Sequence, residues 1–231
     1  MNSTKHLYYI ATPAGDKMRQ QQMQEQQKRQ EQQKRSVGRP IWEKYTGETA
    51  EGYNEKRKNN PKWEVEDKVI RELMDDLPYG HWVLDIPCGT GRFFDFYKEK
   101  GWAVKARDLS PDMLTIAGNY AKSIGMDGPE MSLCRDDVTK LKTLPEDGCV
   151  DASLMIRLTR WLSVDDCQVA FKQLQRVTRD RIILTTNVKE ENPHVRPIEL
   201  FLDALEDDWE LAENREGYEA HYRILMFKRK K

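Results

Sequence analysis

The sequence has 231 residues, of which 33% are charged, and its mean hydropathy is −0.84. This length exceeds what a single hydrophobic core requires but is short for two ordinary domains. No apolar run approaches the ~20 residues that span a bilayer, and the first residues lack the apolar segment of a secretory signal. These features exclude a membrane-spanning protein, and we expect a cytoplasmic protein with no membrane partner.

The first forty residues differ in composition from the rest of the chain. They hold eight lysine and arginine residues against three acidic ones, whereas the remainder is mildly acidic. Residues 18–35 are glutamine-rich, and Met18 and Met23 are their only apolar side chains, so this segment has no face to bury. We predict a polar Gln-rich tail or lone helix over 1–40 and a folded domain over 41–231.

Apolar periodicity predicts helices before and between a series of strands. One helix is expected over 41–53 and another over 62–77. Strands then alternate with helices, which predicts an α/β fold: a doubly wound, mostly parallel sheet of seven strands, with helices on both faces and an antiparallel hairpin last. The strands are predicted at 82–86, 103–108, 131–135, 150–156, 181–186, 209–215 and 222–228, and the intervening helices at 93–100, 110–125, 163–177 and 197–205.

A glycine-containing turn follows the first predicted strand. The strand delivers Asp85 to its carboxyl end, and Gly89 and Gly91 allow a sharp turn and close approach of a ligand to the main chain. A dinucleotide fingerprint would require glycine at Phe94, and a Walker loop would require lysine at Arg92. The turn is therefore typical of neither kind of phosphate site.

Four ordered motifs together resemble the class I, Rossmann-like methyltransferases that depend on S-adenosylmethionine. They are VLDIPCGTGR at 83–92, ARDLSPDML at 106–114, DDVTKL at 136–141 and DGCVDA at 147–152, and the resemblance covers about residues 41–231. The first motif departs from the usual family pattern at Pro87, where glycine is common. The resemblance implies S-adenosylmethionine as the cofactor and methyl transfer by in-line displacement.

The resemblance also implies which residues bind the cofactor. Asp108, at the end of the second strand, is expected to accept hydrogen bonds from the ribose hydroxyls. Asp137 is expected to accept one from the adenine amino group, with Asp136 as its rival. Asp85 and the glycine turn are expected to order the methionine end. The full expected set is Asp85, Cys88, Gly89, Thr90, Gly91, Asp108, Leu109, Met113, Asp137, Val138 and Arg157.

The acceptor side is expected between the loop after the fourth strand and a helical lid over 41–80. No catalytic residue is identified, and the candidates are Arg157, His194 and Tyr53. Arg157 is expected to bind an anionic substrate group or the cofactor carboxylate, or else to pair with a helix. Tyr53 either closes over the sulfonium by a cation–π contact or packs within the lid. His194 is either a general base or a solvated loop residue, and no spacing typical of metal ligands is present.

The short segment between the fifth and sixth strands, 188–208, predicts a compact acceptor site. A small-molecule substrate is therefore expected. One alternative is an RNA or protein acceptor that docks through the basic tail, and another is a subunit that binds S-adenosylmethionine without catalysis.

Overall fold

The computed structural model describes residues 41–189 and 195–231. The predicted tail over 1–40, its boundary with the folded domain, and His194 therefore lie outside the described residues. None of the helices in the two described ranges combines the length and apolar character needed to traverse a bilayer.

Seven strands form one sheet. They are β1 (Trp82–Asp85), β2 (Ala103–Asp108), β3 (Met131–Arg135), β4 (Val150–Met155), β5 (Thr178–Asn187), β6 (Trp209–Glu216) and β7 (Tyr222–Arg229). Their order is β3-β2-β1-β4-β5-β7-β6. Strands β1 to β5 pair in parallel, and β7 pairs antiparallel with both β5 and β6. This arrangement confirms the predicted doubly wound sheet with its antiparallel hairpin.

Three of the six described α-helices begin at a capping side chain. The α-helices are α1 (Glu48–Glu51), α2 (Pro61–Met74), α3 (Phe94–Lys100), α4 (Pro111–Ser123), α5 (Val164–Val177) and α6 (Ile198–Leu202), with 3₁₀ turns at Ile41–Tyr45, Glu55–Arg57 and Thr159–Trp161. The side chains of Asn60, Ser110 and Ser163 each accept a hydrogen bond from a free N–H group of the first turn.

Two predictions about elements are wrong. The predicted helix over 41–53 is broken, because Gly47 has a φ of 52° and Gly52 ends the single turn of α1. Glycine is a poor helix former, and two of them in this short segment leave only isolated turns. The fifth strand begins at Thr178, three residues earlier than predicted, because α5 runs directly into it without a loop.

The sheet separates two hydrophobic cores, since successive side chains of a strand point to opposite faces. In β1, Val83 packs into the core beneath α2, α3 and α4, and Leu84 packs into the core beneath α5 and α6. This layering fixes the carboxyl ends of β1, β2 and β4 side by side at one edge of the sheet.

Candidate active site

The candidate site lies at the carboxyl edge of the sheet, where the strand order reverses. Strand β1 is flanked there by β2 and β4, which is the position where open α/β sheets bind ligands. Strand β1 ends at Asp85 and β2 ends at Asp108, while β4 leads into Arg157. Three of the predicted site residues are thus brought to one edge by the topology alone.

The β1–α3 loop (86–93) is pinned to the neighbouring strand. The N–H of Cys88 donates to the carbonyl of Arg107 at 2.8 Å.

The two glycines of the loop have different roles. At Gly91, with a φ of 85°, an added Cβ would lie 2.6 Å from the Phe94 ring. At Gly89, with a φ of 55°, an added Cβ would meet nothing within 4 Å. Gly91 therefore permits packing, whereas Gly89 borders open space.

Asp108 joins the end of β2 to the β1–α3 loop. Its carboxylate accepts the N–H of Gly89 at 2.9 Å and the N–H of Ser110 at 2.8 Å. Only 8% of the residue is exposed. Burial raises the pKa of Asp108, although the hydrogen bonds from Ser110, Gly89 and Leu109 oppose the rise. The carboxylate therefore holds the loop in place beside the open space.

Asp85 is a buried carboxyl group that lacks a complete set of partners. One of its oxygens, Oδ2, is inaccessible to solvent and forms no hydrogen bond with the described residues. Burial raises the pKa of Asp85 to about 7; the Tyr97 hydroxyl and Arg92 oppose the rise, and Asp108 adds to it. A cationic ligand group beside Asp85 would offset this cost by favouring the charged form.

The turn after β3 is organised by Asp136. Its carboxylate accepts the N–H groups of Asp137 at 2.8 Å, Lys142 at 3.1 Å and Thr143 at 2.8 Å, and the Thr143 hydroxyl at 2.6 Å. Asp136 is buried, so these bonds account for its presence as a structural residue.

Asp137 is half-buried and bonds within its own turn. It accepts the N–H and the hydroxyl of Thr139 at 3.0 Å and 2.7 Å, and the ammonium of Lys140 at 3.0 Å. Burial alone raises the pKa of Asp137, but these bonds hold it below its usual value. Next to it Val138 is buried, as is Met113 on α4, while Leu109 is half-buried.

Sequence reasoning missed Glu66, which lies on α2 and is fully buried. Its carboxylate accepts hydrogen bonds from Arg92, from Nε of Arg157 at 2.8 Å and 3.1 Å, and from the Tyr222 hydroxyl. A signal was present, because Glu66 stands at helical spacing in the apolar stripe that continues with Val69. A glutamate in such a stripe requires buried cationic partners.

Arg157 is thus paired with a helix, which is one of the roles predicted for it. Its φ is 60°, and its N–H donates to the Thr185 hydroxyl at 2.7 Å. The guanidinium lies 5.3 Å from the Trp63 ring centroid. Burial alone lowers the pKa of Arg157, but Glu66 and Tyr222 raise it above the ordinary value. The side chain is therefore a permanent cation and unsuited to act as a general base.

The segment 44–57 packs against the loops at the sheet edge. The Tyr45 carbonyl accepts the Ser110 hydroxyl at 2.6 Å, and the Thr90 hydroxyl donates to Asn54 at 2.7 Å. The ring centroids of Tyr45 and Tyr53 lie 6.0 Å apart.

Two tryptophan rings extend this pair. Tyr53 lies 6.1 Å from Trp63 on α2, and Tyr45 lies 6.4 Å from Trp161 in the β4–α5 loop (156–163). We call these four residues the aromatic cluster. Tyr53 packs against Tyr45 and Trp63, and packing is one of the two roles predicted for it.

Comparison with known proteins points to the same segment of the chain. A family model described as a methyltransferase domain matches residues 83–181. Malonyl-[acyl-carrier protein] O-methyltransferase of Hamiltonella defensa subsp. Acyrthosiphon pisum (strain 5AT) is 33% identical over 98 residues, which cover 42% of this chain and 34% of that protein. The putative methyltransferase YqeM of Bacillus subtilis (strain 168) is 31% identical over 104 residues, with coverage of 32% and 42%. The chain spans less than half the length of these curated relatives.

Solved structures share the fold at low identity. Magnesium protoporphyrin IX methyltransferase (ChlM) from Synechocystis PCC 6803 with bound SAH has a TM-score of 0.66 and 15% identity, over 82% of this chain and 97% of that one. Geranyl diphosphate methyltransferase in complex with GPP and sinefungin has a TM-score of 0.60 and 13% identity, over 73% and 78%. The [4+2]-cyclase SpnF reaches 0.61 and 14%, over 71% and 80%. The methyltransferase-domain match covers residues 83–181, less than half of this chain, and the similarity to these solved structures shows that the chain shares their fold.

Proposed function

We propose that the protein transfers a methyl group from S-adenosylmethionine to a small molecule. The observation that carries the proposal is the pair of buried carboxyl groups, Asp85 and Asp108, beside the open space at Gly89. Oδ2 of Asp85 lacks a hydrogen-bond partner among the described residues, and both groups lie at the carboxyl ends of neighbouring strands, where open α/β sheets bind ligands. The residues present therefore fit this cofactor.

The proposed roles divide the cofactor among three loops. Asp108 accepts the ribose hydroxyls, and Asp85 balances the cationic amino group of the methionine end. The main chain of the β1–α3 loop, with its open face at Gly89, meets the carboxylate. Cys88, Thr90 and Gly91 complete this loop, and Leu109, Met113, Asp137 and Val138 form the adenine pocket.

Methyl transfer from a sulfonium needs little acid–base chemistry, because the bound donor supplies an activated methyl group. The chain's task is to align the acceptor and to exclude water. We assign both tasks to the aromatic cluster and to the 41–80 segment that carries most of it, which we propose acts as a lid. His194 remains the candidate general base, since Arg157 stays charged.

A small-molecule acceptor is supported by the short connection between β5 and β6, which holds only the five-residue helix α6 within its described part. The structurally similar ChlM and geranyl diphosphate methyltransferase are named for small substrates.

An RNA or protein acceptor would instead bind through the basic Gln-rich tail. SpnF shares this fold but is named a cyclase, so the fold by itself does not establish methyl transfer. A cytoplasmic location remains a prediction from the sequence.

The cofactor assignment is tested by Asp108→Ala. Loss of a charged acceptor for two hydroxyl donors is expected to weaken S-adenosylhomocysteine binding by roughly tenfold or more, measured by calorimetry. Asp127→Ala, which alters an exposed aspartate on a distant turn, is the matched control and is expected to bind normally. Equal affinity of Asp108→Ala and the wild type would remove the proposed ribose site.

The role of Asp85 predicts a pH-dependent affinity. Its carboxyl group titrates near pH 7 in the free protein, and only the ionised form attracts the ligand's amino group. Below that pH, binding must expel a proton, so S-adenosylhomocysteine is expected to bind roughly tenfold more tightly at about pH 7 than at about pH 5.5. Asp85→Asn is expected to bind weakly and with no such dependence. A wild-type affinity that stays constant across this range would contradict the assignment.

The tail separates the acceptor classes. Deletion of residues 1–40 is expected to leave methyl transfer to low-molecular-weight compounds unchanged, because the sheet and both cores lie in the remaining chain. Transfer of labelled methyl groups from S-adenosylmethionine to an extract, assayed with full-length and shortened protein, checks this. If deletion abolishes labelling and the label in the full-length reaction resides in RNA or protein, the small-molecule proposal fails.

A further inference from the structure

We propose that the acceptor carries an anionic group, a carboxylate or a phosphate, which the guanidinium of Arg157 binds. This inference rests on the proposed methyltransferase function and names the chemical class of its substrate. It follows from three features of the described residues: the free edge of one guanidinium, its unusual backbone, and the unpaired cations around the aromatic cluster.

The guanidinium of Arg157 forms hydrogen bonds through Nε and none through its two terminal nitrogens. Both carboxylate oxygens of Glu66 contact its Nε, at 3.1 Å and 2.8 Å. Neither terminal nitrogen donates a hydrogen bond to any described residue, and Nη2 is inaccessible to solvent. A buried donor without an acceptor is costly, whereas the free edge of two parallel N–H groups matches a carboxylate or phosphate.

Arg92 provides the contrast within the same cluster. One of its terminal nitrogens donates to Glu66, and the other donates to the carbonyl of Trp63 at 2.8 Å. Both terminal nitrogens of Arg92 are therefore occupied by hydrogen bonds within the protein. Of the two arginines that share Glu66, only Arg157 keeps its terminal nitrogens for a ligand.

The backbone of Arg157 supports a role beyond packing. A φ of 60° is uncommon for a residue with a Cβ, and such conformations cluster at ligand-binding positions. The hydrogen bond from its N–H to Thr185 holds this conformation. Arg157 is the second residue of the β4–α5 loop and lies two residues after the end of β4.

Further cations surround the aromatic cluster. Arg57 lies 3.6 Å from the Tyr53 ring centroid, and Lys44 and Arg160 lie 4.6 Å and 4.9 Å from that of Trp161. None of these three forms an ion pair with a residue in the described ranges. Arg57 and Arg157 also share the Trp63 ring, at 5.8 Å and 5.3 Å. Such a concentration of positive charge attracts anions and repels cationic acceptors.

The chemical class is tested by dividing the acceptor pool by charge. A low-molecular-weight extract is passed over an anion-exchange resin, and the unbound and eluted fractions are incubated with the protein and labelled S-adenosylmethionine. Labelling is expected only in the eluted, anionic fraction. Prior treatment of that fraction with alkaline phosphatase distinguishes the two sources: loss of labelling indicates a phosphate, and persistence indicates a carboxylate.

The residue is tested with Arg157→Lys, which keeps a positive charge near Glu66 but removes the guanidinium edge. With the anionic fraction as acceptor, KM is expected to rise roughly tenfold, by the loss of a bidentate contact. Calorimetric binding of S-adenosylhomocysteine is expected to stay within about twofold of the wild type. Arg57→Gln is expected to raise KM as well, and Arg179→Gln, an exposed arginine at the opposite end of β5, is expected to leave both values unchanged.

The possible failures are distinguishable. Labelling confined to the unbound fraction would overturn this inference and leave the methyltransferase function standing. An equal loss of S-adenosylhomocysteine affinity in Arg157→Lys would assign the guanidinium to the cofactor carboxylate and also overturn it. Cofactor binding without labelling of any fraction would contradict the proposed function, and this inference with it.

Discussion

The carboxylate of Glu66 is fully buried, and donors from three separate parts of the chain converge on it. Arg92 belongs to the β1–α3 loop, Arg157 to the β4–α5 loop, and Tyr222 to β7. Because a buried carboxylate must be paired, all three elements are held in a fixed relation to helix α2. Removing one partner of such a cluster typically costs about 3–5 kcal/mol, so Glu66 is a strong anchor that the β1–α3 loop, the β4–α5 loop and β7 share.

Charge is divided between the two sides of the site. The proposed cofactor side holds Asp85 and Asp108, whose pKa values burial raises, and Asp108 bonds to Gly89, which borders open space. The proposed acceptor side holds Arg157, whose terminal nitrogens donate to no described residue, and further cations that lie over aromatic rings. This division suits a cationic donor on one side and an anionic acceptor on the other, and it discourages either ligand from entering the wrong half.

The sequence predicted the elements that depend on local rules. Strands β2 and β3 have their predicted bounds, and β1 and β4 are each one residue shorter, because each is a short run with buried or partly buried apolar side chains that is bounded by polar turns. Helices α4 and α5 start at their predicted serine caps. The helix predicted over 41–53 was wrong, because Gly47 and Gly52 interrupt a segment whose aromatic spacing is helical.

The site was predictable only in part, because some of its residues are positioned by strand ends and others by contacts between distant parts of the chain. Asp85 and Asp108 follow from strand ends, whose position the sheet dictates. Glu66 was missed, because burial of an acid depends on partners that lie 26 and 91 residues away in sequence. The bond between Asp108 and Gly89 depends likewise on tertiary geometry rather than on spacing.

The most direct test of this account is a crystal structure of the protein with S-adenosylhomocysteine. We expect the ribose hydroxyls within hydrogen-bonding distance of Asp108, and the amino-acid end beside Gly89 with its amino group facing Asp85. A ligand bound away from the carboxyl ends of β1 and β2, or one that leaves Asp85 and Asp108 without a ligand contact, would contradict the account.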